Sequence, residues 1–484
     1  MGPAAHGNAP GTRHSRQASV RPVVHPALTP TDENGTSADP LLERRLGRFE
    51  LSIVLACAAA IFFDGFDAQA IGYVGPSLLM TFHVAPSALG PVFSAGLVGI
   101  MLGALFIAPL ADRVGRRPII LLSIVTFAAF ALATAWAGSI GALIWLRLLT
   151  GLGLGGCMPN AIALTIEYSP VRLRGLLVTM MFNGFTLGSL LGGILSHQLI
   201  PVFGWRAVFV AGGALPLLLV PVLYRSLPES LRYLVLAGQR PVAVADILRR
   251  LGSTADAESM ASAWRNSATP VKRSIGELFR HGRGRATLVL WIVFFMSLLD
   301  VYLLVSWLPT ALNQAGVPAQ TSIVLGSLLQ VGALIGTLLI GAGLDRFAGN
   351  WLLVPAYLLG SLSIAAIGVF SSISLGLTTL AVLLAGFGII GGQTAGNALA
   401  AQTYPTQIRS TGVGWALGIG RIGSIIGPLV AAGLLLVHVS VKGIFLVSAV
   451  PALLAAGAIA FFGPWRSAPG GDSRVNNTED TAPY

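Results

Sequence analysis

The 484-residue sequence is short of charge. Asp, Glu, Lys and Arg make up 10% of it, against roughly 25% in an ordinary soluble protein. A water-soluble fold of this length needs a polar surface that such a composition cannot supply. Intrinsic disorder is excluded too, because disordered chains are poor in apolar residues and 54% of this chain is hydrophobic. Cysteine is nearly missing. Cys57 and Cys157 both lie in apolar runs, which excludes a disulfide scaffold and suits two small core residues. Lysine is as scarce, so the formal net charge of +11 is carried by arginine. No Gly-x-x-x-x-Gly-Lys-Ser/Thr loop is present, so no ATP drive is visible. No metal-ligand spacing and no Ser/His/Asp constellation appear either, and the chain reads as a non-enzyme with no metal site.

What is abundant is long apolar runs. A helix needs roughly 20 apolar residues to cross a bilayer. Twelve such stretches lie near 50–78, 87–110, 118–137, 139–166, 173–197, 205–225, 287–312, 320–343, 351–371, 375–402, 410–437 and 441–463. The expected fold is therefore an all-α polytopic membrane protein. Arginines mark one side: Arg44, Arg45 and Arg48 before the first span, Arg113, Arg116 and Arg117 after the second, Arg172 and Arg174 after the fourth, Arg346 and Arg409 in the second half. Opposite loops hold only Arg206 and Lys442, near helix ends. By the positive-inside rule both termini are expected in the cytoplasm. The basic balance then reflects loops facing anionic lipid rather than nucleic acid. Residues 1–48 have no apolar core before Leu51 and read as a disordered cytoplasmic tail, not a cleaved signal peptide. Residues 464–484 read as a second such tail, and 226–286 as a cytoplasmic central loop.

The chain repeats itself. LTGLGLGGCMPNAIALTIEYSPVRLRG from Leu149 aligns with LAGFGIIGGQTAGNALAAQTYPTQIRS from Leu384 at an offset of 235. Gly151 meets Gly386, Glu167 meets Gln402, Pro170 meets Pro405 and Arg174 meets Arg409. With small drifts, Asp64 meets Asp300 and Asp112 meets Asp345. Two pseudo-symmetric six-helix bundles follow, 49–225 and 287–463. Such duplications place a site at the interface between halves and work by rocking one half against the other. Glycines four apart (Gly184, Gly188 and Gly192; Gly414 and Gly418; Gly423 and Gly427) are expected to let helices approach closely.

APLADRVGRRP, Ala108 to Pro118, sets an acid, arginines and a glycine turn between two spans, with a partial copy in GAGLDRFAG, Gly341 to Gly349. This pattern resembles the loop signature of the major facilitator superfamily, although that family's pattern usually starts with Gly where this chain has Ala108. The run from Arg147 through Gly151, Gly153 and Gly155 resembles its fourth-helix motif, and PESLRYL from Pro228 resembles its motif after the sixth helix. FFDGFDAQAIGYVGPSL, Phe62 to Leu78, carries Asp-Gly-x-Asp as the aromatic acid:proton symporter family does. YLLVSWLPTAL in the seventh span and GWALGIGRIGSIIGP in the eleventh are similar to that family as well. The resemblance covers about residues 48–463. It implies the major facilitator fold, a monomer, and import of a small aromatic carboxylate with protons, driven by the proton gradient without a cofactor. The same fold carrying a sugar, an aliphatic acid or a drug, and a membrane sensor that binds without transport, are the alternatives.

Six charges fall within the spans: Asp64, Asp67, Arg147, Glu167, Asp300 and Arg421. Each is costly in lipid, about 2.5–3.5 kcal/mol on insertion scales, and so is a functional candidate. Asp64 and Asp67 share a helix face and resist ionising together. With Arg147, they are the expected proton-coupling set. Arg421, among glycines, is the expected anchor for a substrate carboxylate, because guanidinium binds carboxylate as a fork. Asn160, Gln393 and Asn397 are candidates to hydrogen-bond a ring hydroxyl, and Tyr302, Trp307 and Trp415 to stack on the ring. Asp112, Arg113, Gly115, Arg116, Arg117, Glu167, Arg174, Asp345 and Arg346 are the expected cytoplasmic gate. An acid at a helix end can pair with loop arginines and with a neighbouring helix dipole. Asp300 is left between a polar pocket group and a helix anchor.

Overall fold

The computed structural model describes residues 46–238, 241–251, 262, 275–346, 350–405 and 408–461, without the side chains of 345, 346 and 350. The gating expectations on Asp345 and Arg346, and both tails, lie outside the described residues.

Twelve helices are long and apolar enough to cross a membrane, and no strand occurs among the described residues. They are α1 (Arg48–Phe82), α2 (Pro86–Val114), α3 (Arg116–Thr134), α4 (Ile140–Tyr168), α5 (Val171–Phe203), α6 (Arg206–Ser226), α7 (Gly284–Gln314), α8 (Ala319–Leu344), α9 (Leu353–Phe370), α10 (Leu375–Thr403), α11 (Arg409–Leu436) and α12 (Val441–Phe461). In lipid a backbone can satisfy its polar groups only within helices or closed barrels, so apolar runs of this length become helices. The repeat extends to the caps. Ser139 accepts from the Ala142 amide at the start of α4, and Ser374 from the Leu377 amide at the start of α10. Two short helices, Leu231–Leu236 and Pro241–Arg250, follow α6.

Within each half the same pairs pack: α1 on α5 and α7 on α11, α2 on α4 and α8 on α10. Glycine makes these contacts backbone to backbone. A Cβ on Gly65 would overlap the Phe185 carbonyl of α5, and one on Gly188 the Phe62 carbonyl of α1. In the second half Gly423, the repeat counterpart of Gly188, and Gly427, that of Gly192, face the carbonyls of Phe295 and Leu299 on α7. Gly414 and Gly418 have open space around them, so that expected pair plays no part in packing.

The halves meet on the side away from the chain ends, here the far side. Gln69 of α1 donates to the Val305 carbonyl of α7 at 2.9 Å, and Gln330 of α8 donates to Gln69 at 3.0 Å. Ser94 of α2 donates to the Ile425 carbonyl of α11 at 2.8 Å. One apolar cluster, including Phe93, Trp307 and Ala431, runs across both halves at that level. The other two clusters each belong to a single half.

Candidate functional site

The close packing of α1 on α5 at Gly65 fixes the rotation of α1, and that rotation turns Asp64 into a cavity between the halves. The cavity is small, about 50 Å³, and both halves wall it. Asp64, Ala68, Ile100, Leu154, Met158 and Phe185 come from the first half, Tyr302 and Arg421 from the second. Arg421 donates to the Tyr302 hydroxyl at 3.2 Å, which leaves guanidinium donors for a ligand. Asp64 is nearly buried and makes no hydrogen bond or ion pair among the described residues. The charges that act on it are Arg421 and Asp67. One carboxyl and one guanidinium thus share a largely apolar chamber without closing an ion pair.

Asp67, one turn further along α1, has a different environment. Arg147 donates to both of its carboxylate oxygens at 3.2 and 3.1 Å. The guanidinium also donates to Thr134 and Thr150 at 3.0 and 3.2 Å and stacks on Phe209 at 4.8 Å. Asp67 is 2% and Arg147 3% exposed. A buried pair held by further hydrogen bonds, with only the Arg147 Nε left without a partner among the described residues, is a neutral unit whose breaking strands a charge. It borders a second hollow, which shares Ala68, Ile100, Leu154 and Tyr302 with the first and extends to Phe93 and Ser306. Asp67 thus has its own cation, whereas Asp64 faces the cavity.

The other expected ligand residues lie elsewhere, Tyr302 excepted. Trp307 is buried in the far-side contact. Its indole N–H donates to the Pro428 carbonyl at 3.0 Å, and its ring meets Phe93 edge-on at 5.2 Å. Asn160 faces α2 and its own turn, donating to the carbonyls of Ala108 and Gly156 at 3.3 and 2.9 Å. Gln393 accepts from Ser297 inside the second half. Trp415 packs beside Trp291 with centroids 6.0 Å apart, and Asn397 is exposed. None of these five lines the cavity. Their rotation about the helix axis depends on which neighbour each helix packs against, and residue type alone does not encode that. The apolar wall, Ile100, Leu154, Met158 and Phe185, was missed because apolar residues in a span carry no distinguishing signal. Only the Gly151–Gly155 run, which brings α4 against α2, marked its place.

The expected gate forms a network on the terminus side. Glu167, near the end of α4, pairs with Arg116, accepts from the Ser230 hydroxyl at 3.0 and 2.8 Å, and takes the Arg232 amide at 2.6 Å. Glu229, not singled out from sequence, accepts from the amides of Arg116 and Arg117 at 2.7 and 3.2 Å and so caps α3. Gly115 makes room for that carboxylate, holding φ +104° where a Cβ would strike Glu229. Arg117 donates to the Tyr224 carbonyl. Arg174 and Arg409, the repeat partners, each donate through Nε to a carbonyl five residues back, Ser169 and Tyr404. Asp112 and Arg113 are exposed, and Asp112 has no ion pair among the described residues. These contacts tie the first half to the helices after α6. They do not tie it to the second half.

The family model for the Major Facilitator Superfamily matches residues 57–428. The Gallate transporter of Pseudomonas putida is 40% identical over 434 residues, 89% of this chain and 95% of that protein. The 4-hydroxybenzoate transporter PcaK of Pseudomonas aeruginosa is 40% identical over 422 residues, 86% of this chain and 93% of that protein. The 3-(3-hydroxy-phenyl)propionate transporter of Escherichia coli is 37% identical over 415 residues, covering 86% and 94%. Among solved structures, the inward open conformation of the xylose transporter XylE from E. coli superposes with a TM-score of 0.69 at 18% identity, over 88% of this chain and 98% of that one. This last likeness is one of fold.

Proposed function

The chain belongs to the Major Facilitator Superfamily, among relatives that carry aromatic acids, and on that premise we propose that it imports an aromatic carboxylate together with protons across the bacterial inner membrane. The observation that carries this reading is the shared chamber of Asp64 and Arg421. With Asp64 protonated, Arg421 is a cation without a counterion in an apolar cavity, and a carboxylate answers it. The Tyr302 hydroxyl orients the guanidinium. The ring of the substrate lies on Ile100, Leu154, Met158 and Phe185. When Asp64 loses its proton, its carboxylate becomes the competing counterion and the bound anion is released. Proton and anion are coupled because they bear on the same guanidinium.

The cycle alternates access. With both termini in the cytoplasm, as the arginine distribution supports, the far side is the outer face, and the conformation described above is closed outside. Asp112 and Arg113, exposed here, join the two halves when the cytoplasmic face shuts. The transporter works as a monomer without a cofactor. Proteoliposome uptake tests the reading. An inward-directed proton gradient is expected to drive accumulation of radiolabelled 4-hydroxybenzoate, and benzoates but not sugars are expected to compete. Inhibition by sugars alone, or uptake indifferent to the proton gradient, overturns it.

A further inference from the structure

Asp300 has no part in the chemistry above, yet it is the most deeply buried charge among the described residues. It lies mid-way along α7, is 0% exposed, and neither carboxylate oxygen has a hydrogen-bond partner among the described residues. The backbone of Ala452 on α12 lies beside it without reaching hydrogen-bond geometry. Tyr302, two positions on and so roughly 200° around the helix, faces the cavity and receives Arg421. Asp300 thus points the other way, into the second half. It is the repeat counterpart of Asp64, and neither of these two carboxyls within the spans has an ion-pair partner among the described residues.

The surroundings exclude an ionised state. On α9 the buried Tyr357 hydroxyl likewise has no hydrogen-bond partner among the described residues. From α11, Gly423 and Gly427 meet α7 at Phe295 and Leu299. From α12 only the backbone of Ala452 approaches. No charged side chain acts on Asp300 from α1, α8, α10 or α11. A carboxylate with neither cation nor donor is not stable in such a place, whereas a carboxylic acid is. On the same helix as Asp300, Ser297 donates to Gln393 of α10, so polar groups continue from α7 to α10.

We propose that Asp300 is a second proton-carrying carboxyl of the transport cycle: it takes a proton from the outside when the far side is open, holds it as the neutral acid in the conformation described, and gives it up to the cytoplasm when α7 next rearranges. This rests on the proton-symport reading. It adds a definite consequence: two protons accompany one monoanion, so each turnover carries one net positive charge inward.

Reconstituted protein is assayed for radiolabelled 4-hydroxybenzoate uptake under two separate forces, a pH gradient at zero potential and an inside-negative potential at equal pH. The wild type is expected to accumulate substrate under either force. Asp300→Asn, which keeps the shape of the neutral acid, is expected to respond to the pH gradient alone. Wild-type uptake that ignores the potential but follows the pH gradient overturns the second site and leaves proton symport standing. Potential-driven uptake persisting in Asp300→Asn also overturns it. Uptake indifferent to both forces overturns the reading beneath. The wild-type arm needs no variant, so a poorly folding Asp300→Asn protein does not remove the test.

Discussion

Arg421 and Asp64 line one chamber and make no ion pair with each other, and this is the condition for a site that an anion can enter. Two substitutions separate their roles. Arg421→Lys keeps the charge and loses the fork. Hydrogen bonds to charged groups contribute about 1.5–3 kcal/mol, so 4-hydroxybenzoate binding measured by calorimetry is expected to weaken by about 10- to 100-fold. Unchanged affinity would remove Arg421 as the anchor. Asp64→Asn holds the neutral form permanently. Substrate counterflow, which needs no net proton movement, is expected to continue while pH-driven accumulation disappears. Asp67 belongs to a different experiment. Asp67→Asn strands the buried Arg147 guanidinium, a loss of about 3–5 kcal/mol, so thermal stability in detergent is expected to fall. Asp67→Asn combined with Arg147→Gln is expected to recover much of it. An Asp67→Asn protein as stable as the wild type would mean that the pair contributes nothing to the fold. The sequence shows that both carboxyls lie on one face of α1, but not that one meets Arg147 and the other the cavity. That division depends on the rotation of α1 against α4 and α5, which no local pattern records.

At the scale of helices, glycine decides how close the chains run. Gly65 has the Phe185 carbonyl of α5 where a side chain would sit. Gly65→Ala must push α1 from α5 and carry Asp64 with it. Overpacking of this kind costs about 1–3 kcal/mol, and transport is expected to fall with stability. Gly414→Ala is the matching control. Open space surrounds Gly414 and alanine is the better helix former by about 1 kcal/mol, so a small gain or no change in melting temperature is expected. A loss at Gly414 equal to that at Gly65 would show that helix propensity rather than close approach governs both. The elements themselves are the most legible part of the chain, because apolar length dictates a span and the Gly, Pro and Arg repeat dictates two halves. Helix ends are less legible. α1 runs from Arg48 to Phe82 rather than over 50–78, since Leu79–Phe82 continue the helix until His83 turns left-handed and ends it. Trp307 was misplaced for a related reason: an indole in a span suits a ligand ring and a helix contact equally, and only the facing Phe93 and Pro428 decide.

At the scale of the whole molecule, the two halves are held by a small set of far-side contacts, and the balance between conformations depends on them. The Gln69 bridge reaches both α7 and α8, and Trp307 meets Phe93 across the same level. Each buried hydrogen bond contributes about 1 kcal/mol net and an aromatic pair about 0.5–1.5 kcal/mol. Removing both shifts a two-state balance by about 10-fold or more towards the conformation open on the far side, since 1.4 kcal/mol is about a factor of ten. Spin labels at Ala85→Cys and Gln314→Cys report this, because Ala85 and Gln314 are exposed at the far side, one in each half. The native Cys57 and Cys157 are buried and take no label. The distance distribution of the labelled wild type is expected to hold a dominant short component. Adding Gln69→Ala and Trp307→Ala is expected to bring in a longer one, and protein locked by added substrate at low pH is expected to redistribute between the same two distances rather than adopt a third. A distribution unmoved by the two substitutions would place the far-side seal elsewhere, on the hydrogen bond from the Ser94 hydroxyl of α2 to the Ile425 carbonyl of α11.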